Sequence, residues 1–234
     1  VRAGSRPRAP RPDRVTRGRG RRVLVAVLAI AGVGAAAWVL LAGPLLGTHR
    51  VEVAGTVALP AEQVRAAAGV PIGTPLLWLD TSAIESRVER LRRVADAEVS
   101  SSVTGTVGIK VTERAAVAVL PAADGPHLID ATGTDFATVP FPPPGLPELR
   151  VPLGDPAASA AIRVIGALPA PLRGQLRVVT ADSPADVVLL LGDGREVRWG
   201  TPARSVRKAA VLVPLLTRPG QVYDVSSPAL PTVS

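Results

Sequence analysis

"RVEVAG" (50–55), "LPAEQVRAAAG" (59–69), "DTSAIESRVERLRR" (80–93), "VADAEV" (94–99) and "VGIKVTE" (107–113) stand in this order between residues 50 and 114. In the first, Val51 and Val53 fall on one side of an extended chain, Glu52 falls on the other, and Gly55 ends the run, the pattern of a half-buried strand. In the second, Pro60 sits where a first helical turn tolerates it, Val64, Ala67 and Ala68 share a face, and Gly69 closes the helix. In the third, Ser82 followed by Glu85 matches a capping box, and Ile84, Val88 and Leu91 recur on one helical face. The last two alternate: Ala95, Ala97 and Val99 against Asp96 and Glu98, then Val107, Ile109 and Val111 against Lys110 and Thr112. "SSVTGT" (101–106) turns the chain between them. "VPIGTPLLWLD" (70–80), with its prolines and glycine, is a loop whose Leu76, Leu77, Trp78 and Leu79 are expected to tuck under the fold. The predicted order is strand, helix, helix, strand, strand, an α+β arrangement.

Short elements continue past residue 115. "AAVAVL" (115–120) and "HLIDATGTDFATV" (127–139) suggest two or three strands with "ATG" (131–133) as a tight turn, and "PFPPPGLPEL" (140–149) reads as an extended connector. "DPAASAAIRVIGALP" (155–169) predicts a helix with Ile162, Ile165 and Leu168 on one side. "QLRVVTAD" (175–182), "DVVLLLGDG" (186–194) and "REVRWG" (195–200) predict strands, the last two joined in a hairpin at Gly192-Asp193-Gly194. "ARSVRKAAVLVPLL" (203–216) predicts a helix with Val206, Ala210 and Val213 on one face and a bend at Pro214. "QVYDVS" (221–226) then forms the last strand, which Pro228 and Pro231 stop.

Upstream, "VLVAVLAIAGVGAAAWVLLAGPLL" (23–46) carries no charge. As a helix it would be about 36 Å long, enough for a hydrocarbon core of about 30 Å. A secretory signal has an apolar stretch of only about 7–15 residues, so a retained transmembrane helix is predicted. The formal net charge of +8 divides unevenly: residues 1–22 hold nine arginines and one acid, and the remainder balances 18 bases with 18 acids. By the positive-inside rule the N-terminal tail is cytoplasmic and everything after residue 46 is exported. The tail's Arg, Pro and Gly predict disorder and suit anionic lipid headgroups, while the neutral remainder argues against a nucleic-acid partner.

Little in the chain points to chemistry. There are no cysteines, so disulfides, thiolate nucleophiles and zinc-thiolate sites are excluded together. His127 with Asp130 is a weak start to a triad, and no serine lies in a nucleophile elbow. Gly192-Asp193-Gly194 lacks the helix start of a phosphate loop. Asp80, Glu85, Glu113 and Asp224 do not form a recognisable acid pair, and the few aromatics make no stacking groove. No cofactor, metal or catalytic residue is expected. A binding protein remains, with exposed sheet edges as the means.

The order over 50–114, next to an anchor, resembles a POTRA domain, in which two helices lie on one face of a three-stranded sheet. Together with "VTERAAVAV" (111–119), "DGREVRWG" (193–200) and "VYDVSSPALPTV" (222–233), the whole chain is similar to the bacterial division family FtsQ/DivIB in its actinobacterial form. Two positions depart from the family pattern: Val103 and Thr104 stand for a usual Trp-Pro pair, and Ala115 and Ala116 for a proline. The resemblance implies a basic tail (1–22), a transmembrane helix (23–46), a POTRA domain (47–115), a mixed β domain backed by helices (116–226) and a C-terminal tail (227–234). It implies a non-enzymatic division scaffold in the cell membrane at the septum, linked to septal peptidoglycan synthesis and binding FtsB/DivIC and FtsL through its final strand and the preceding helix. Tyr223, Asp224, Val225 and Ser226 are the candidate partner edge; Arg204, Arg207 and Lys208 are candidate polar contacts. A secretion or assembly factor bearing a POTRA domain and an anchored cell-wall-binding module or enzyme are the alternatives, the first disfavoured by a chain too short for a barrel.

Overall fold

The computed structural model describes residues 17–42, 47–75, 78–102 and 104–234. Helix α1 (Arg17–Ala42, 26 residues) follows the apolar run and begins inside the segment expected to be a disordered tail. Residues 1–16 and the end of the predicted span, 43–46, lie outside the described residues. From Val23 to Val33 the large apolar side chains of α1 are 57–72% exposed, so the rest of the protein does not cover them. Among the described residues, which for α1 include side chains only from Arg22 to Ala36, no helix is long and apolar enough to cross a membrane.

The first module has the expected order: β1 (Arg50–Ala54), α2 (Ala61–Ala68), α3 (Thr81–Glu89), β2 (Val94–Ser101) and β3 (Thr106–Glu113). β3 lies in the centre, parallel to β1 and antiparallel to β2. Val64, Ala68, Ile84 and Val88 of the helices pack on Val94, Ala97, Val99, Val107, Ile109 and Val111 of the sheet. Each such burial of a Val or Ile is worth about 1.5–3 kcal/mol relative to exposure. Gly69 ends α2 in the left-handed region at φ 55°, its N–H donating to the Arg65 carbonyl.

Three local expectations change. The cap of α3 is Asp80, whose carboxylate accepts from the Ala83 N–H at 3.0 Å; Ser82 donates to Asp80, and Glu85 instead accepts from the Val99 N–H at 2.8 Å, tying α3 to β2. Ala95 is exposed because a register shift between Val94 and Asp96 puts Val94 inward in its place. Trp78 is 64% exposed instead of tucked under, Leu79 packs on the core, and Leu76, Leu77 and Val103 lie outside the described residues. At the end of β3 the Glu113 carboxylate accepts from the backbone N–H groups of Val57, Ala58 and Leu59 at 2.6–3.1 Å, fixing the loop into α2.

The second module is one nine-stranded sheet. Its elements are β4 (Ala116–Ala122), β5 (Gly125–Asp130), β6 (Asp135–Thr138), β7 (Glu148–Leu149), α4 (Pro156–Ala167), α5 (Ala170–Arg173), β8 (Leu176–Ser183), β9 (Asp186–Leu191), β10 (Glu196–Gly200), α6 (Ser205–Leu215), β11 (Val222–Asp224) and β12 (Thr232–Val233). They lie in the order β12-β11-β10-β9-β8-β7-β4-β5-β6. The connector at 140–149 is thus not wholly irregular: β7 runs parallel to β4 on one side and β8 on the other, joining two halves of the sheet. Ile162, Ile165 and Leu168 are buried as expected and belong to the core between α4 and the sheet.

α6 is rotated relative to the expectation. Val206 is 81% and Val213 51% exposed, while Ser205, Lys208, Ala209, Leu212 and Leu215 face inward. Its apolar residues alone select the wrong face, because the buried stripe contains a lysine and a serine. Nor are Pro228 and Pro231 final stops: the chain pairs again at β12.

Candidate functional site

The candidate site lies where α6, β10, β11 and β12 meet. β11 runs parallel to β10, with Val197 opposite Tyr223 and Arg198 opposite Asp224. A parallel pair cannot be closed by a hairpin, and α6 supplies the crossover between them. Alternation then sends Tyr223 and Val225 into the core, at 1% and 0% exposure, leaving Asp224 half-buried and Ser226 exposed. The Tyr223 hydroxyl donates to the Arg218 carbonyl at 2.7 Å, with the Gly220 carbonyl at 3.1 Å, and the Arg195 guanidinium sits 5.5 Å from its ring centroid. The Val225 N–H donates to the Arg198 carbonyl at 3.0 Å, and the Asp224 carboxylate accepts from the Ser226 N–H at 2.9 Å.

The three basic residues of the α6 region separate in role. Lys208 is buried, and its ammonium donates to the carbonyls of Trp199 at 2.7 Å and Thr201 at 2.8 Å. It is not the surface contact expected from its position in the helix; it satisfies carbonyls where β10 leaves the sheet. Burial, followed by the charge of Arg204, holds its pKa below the ordinary lysine value against the opposing pull of Asp224. Trp199 is fully buried beside it and its indole N–H donates to Ser205 Oγ at 3.2 Å. Arg204 and Arg207 are exposed. Arg204 has φ 56° and ψ 27°, the one non-glycine residue with positive φ among the described residues. That conformation costs an L-residue about 1–2 kcal/mol and places Arg204 at the N-terminus of α6, near the charge of Lys208.

β11 is not the outermost strand. The N–H groups of Gln221 and Val222 both donate to the Ser234 carbonyl, at 2.8 and 2.9 Å, and the Ser234 N–H donates to the Val222 carbonyl at 3.0 Å. Antiparallel alternation therefore turns the Val222 and Asp224 backbone groups toward β12, and those of Val233 away from the sheet. No sequence pattern pointed to this two-residue strand, which lacks periodicity and lies between a proline and the last residue.

The other polar clusters are structural contacts. His127 does not meet Asp130: its Nδ1 is 2.6 Å from Asp135 and its Nε2 2.9 Å from Asp124. These carboxylates, Asp135 first, raise the His127 pKa although burial opposes them. Asp130 pairs with Arg114 at 2.5 Å and accepts from Thr132 and Thr134. Asp80, Glu85 and Glu113 are taken up by backbone N–H groups, and Gly192-Asp193-Gly194 is the hairpin turn between β9 and β10. Among the described residues no group of three His, Asp or Glu could hold a metal ion.

Residues 47–114 match the family model for the FtsQ-type POTRA domain, and residues 118–226 the model for the C-terminal region of the cell division protein FtsQ/DivIB. The cell division protein FtsQ of Mycobacteroides abscessus is 43% identical over 90% of this chain and 68% of its own length. The chain belongs to the FtsQ/DivIB family of bacterial cell division proteins. The FtsQ of Mycolicibacterium smegmatis is 46% identical over 90% of this chain and 62% of its own length, so the chain spans about two thirds of these relatives. The FtsQ of Streptomyces coelicolor is 36% identical over 95% of the chain and 92% of its own length. Among solved structures, the match to the major extracytoplasmic domain of DivIB from Geobacillus stearothermophilus covers 42% of this chain and 87% of that one, at 20% identity and a TM-score of 0.35. The C-terminal FtsQ/DivIB match ends at residue 226, before β12.

Proposed function

We propose that the chain is a non-enzymatic, single-pass membrane scaffold of the division machinery, with its basic tail in the cytoplasm and both folded modules outside. Membership of a cell division family supports the role. The uncovered apolar side chains of α1 support the anchor, since a stripe exposed on all sides needs lipid or protein to cover it. On this reading the scaffold binds FtsB/DivIC-like and FtsL-like partners, and through them serves septal peptidoglycan synthesis.

The observation that carries the partner site is the edge of the nine-stranded sheet at β11, covered among the described residues by the two-residue strand β12 and by Ser234. A partner strand that displaces β12 meets the backbone groups of Val222 and Asp224; one that adds outside β12 meets only those of Val233. Displacement offers the longer ladder. Asp224, Ser226, Arg204 and Arg207 are the surface contacts on this reading, and Tyr223, Val225 and Lys208 hold the strand and helix in place from within. Capture of an FtsB/DivIC-like partner by the full chain and by a variant lacking residues 227–234 tests it. The shortened variant is expected to capture at least as well, and loss of capture would overturn displacement. An Arg204→Glu and Arg207→Glu double variant that folds and captures undiminished would remove the helix from the site.

A further inference from the structure

At the far end of the sheet from β12, β6 has β5 on one side and, among the described residues, no strand on the other. The Val139 N–H donates to the Pro126 carbonyl at 2.9 Å, and His127 stands opposite Thr138 and Leu128 opposite Ala137. Alternation in an antiparallel pair then turns Val139 and Ala137 toward β5 and the N–H and C=O of Thr138 away from it; the register shifts between Leu128 and Ile129, which makes Phe136 the extra residue of the strand, and Asp135, opposite Ile129, turns its carbonyl outward to Arg92. An edge of this kind pairs with another chain unless something blunts it, and the exposed side chain here is a threonine, a good strand residue.

Beside that edge lies a groove of about 400 Å³ between β6 and the first module. Leu59, Leu91 and Phe136 contribute its apolar floor, and Arg90, Arg92 and Arg93 its rim. Arg92 is already engaged across the groove, donating to the Asp135 carbonyl at 3.2 Å with its guanidinium 3.5 Å from the Asp135 carboxylate. Arg90 and Arg93 form no ion pair among the described residues. The charge of Arg93 acts on Glu113, whose oxygens are occupied by the N–H groups of residues 57–59. The groove therefore combines a strand edge open at Thr138, an apolar floor and two arginines outside any ion pair among the described residues.

We propose that this groove binds an extended acidic peptide segment of another protein, which adds as a strand to β6 and sets its carboxylates on Arg90 and Arg93. A strand supplies in one object what the site asks for. Its N–H and C=O groups meet those of Thr138, apolar side chains cover the floor, and carboxylates answer the guanidinium forks. A phosphate or a lipid headgroup would answer the arginines and leave the strand edge unpaired. This site is separate from the β11–β12 edge and leaves both open at once.

The test uses the full chain in detergent micelles and two fluorescent peptides of about eight residues, one alternating Glu with Val and one Lys with Val, followed by anisotropy. The Glu peptide is expected to bind with a Kd below about 1 mM and at least about tenfold more tightly than the Lys peptide. Thr138→Pro removes an outward N–H and leaves the β5 pairing intact, so it is expected to weaken the Glu peptide about tenfold at an unchanged thermal midpoint. Arg90→Glu combined with Arg93→Glu is expected to do the same and remains decisive if the proline variant does not fold. Equal binding of the two peptides, or no binding of the Glu peptide, overturns the proposal. Binding lost with the arginines but retained in a folded Thr138→Pro variant also overturns it, leaving a simple anion site.

Discussion

Replacing Lys208 by Met keeps the aliphatic stem in the space between α6 and β10 and removes two hydrogen bonds to the carbonyls of Trp199 and Thr201. Hydrogen bonds from a charged donor are worth about 1.5–3 kcal/mol each, which puts the gross loss at about 3–6 kcal/mol. Relief of a desolvated ammonium, the same burial that lowers the Lys208 pKa, offsets part of it. A net destabilisation of about 2–4 kcal/mol follows, or a fall of about 4–16 °C in the midpoint of a module of this size. The assay is thermal unfolding of residues 47–234 followed by the fluorescence of Trp199, with Trp78→Phe in the background so that the exposed indole does not contribute. A Met variant as stable as its parent would refute the reasoning, because it would mean that the two carbonyls do not need the ammonium.

Arg204→Gly relieves the left-handed backbone at the start of α6, and after the entropy cost of glycine it is expected to raise stability by about 0.5–1 kcal/mol in urea unfolding. Tyr223→Phe removes the hydroxyl that holds Arg218 and Gly220, and is expected to cost about 1–2 kcal/mol while leaving partner capture intact, since the ring is buried. His127, held by Asp135 and Asp124, has a raised folded pKa. Its contribution to stability is complete below the ordinary histidine pKa of about 6.5 and is lost as pH rises through the folded value. The thermal midpoint is therefore expected to fall from about pH 6 to pH 8 and to flatten in His127→Gln.

The first module was legible almost residue by residue because each element carries its own period: Val107, Ile109 and Val111 alternate, and Ile84 and Val88 lie a helical turn apart. The exceptions are local events that periodicity cannot encode, such as the register shift that exposes Ala95. The second module was legible in its long strands and in α4, and less so where neighbours decide. β7 has only two residues and is a strand because β4 and β8 lie on either side of it; β12 is a strand because β11 offers unpaired groups. α6 was misread because an apolar count ranks Lys208 as outward, whereas two carbonyls at the end of β10 draw its ammonium in. Tyr223 and Asp224 were found on a strand, but whether that strand was an edge depended on residues 232–234, beyond any repeating pattern.

β7 also has a mechanical consequence. A pull between the first module and β10 loads the large sheet across its strands, so that hydrogen-bond ladders open one pair after another. β4 and β8 are joined through the two residues of β7, with bonds such as Val119 N–H to the Pro147 carbonyl and Arg150 N–H to the Val179 carbonyl, both at 2.9 Å. This is the narrowest rung in the path of the load, and α4, packed over β4, β8 and β9, is the splint laid across it. Under tension the sheet would part at this seam, with β8 to β12 leaving as one piece and β4 to β6 staying with the first module.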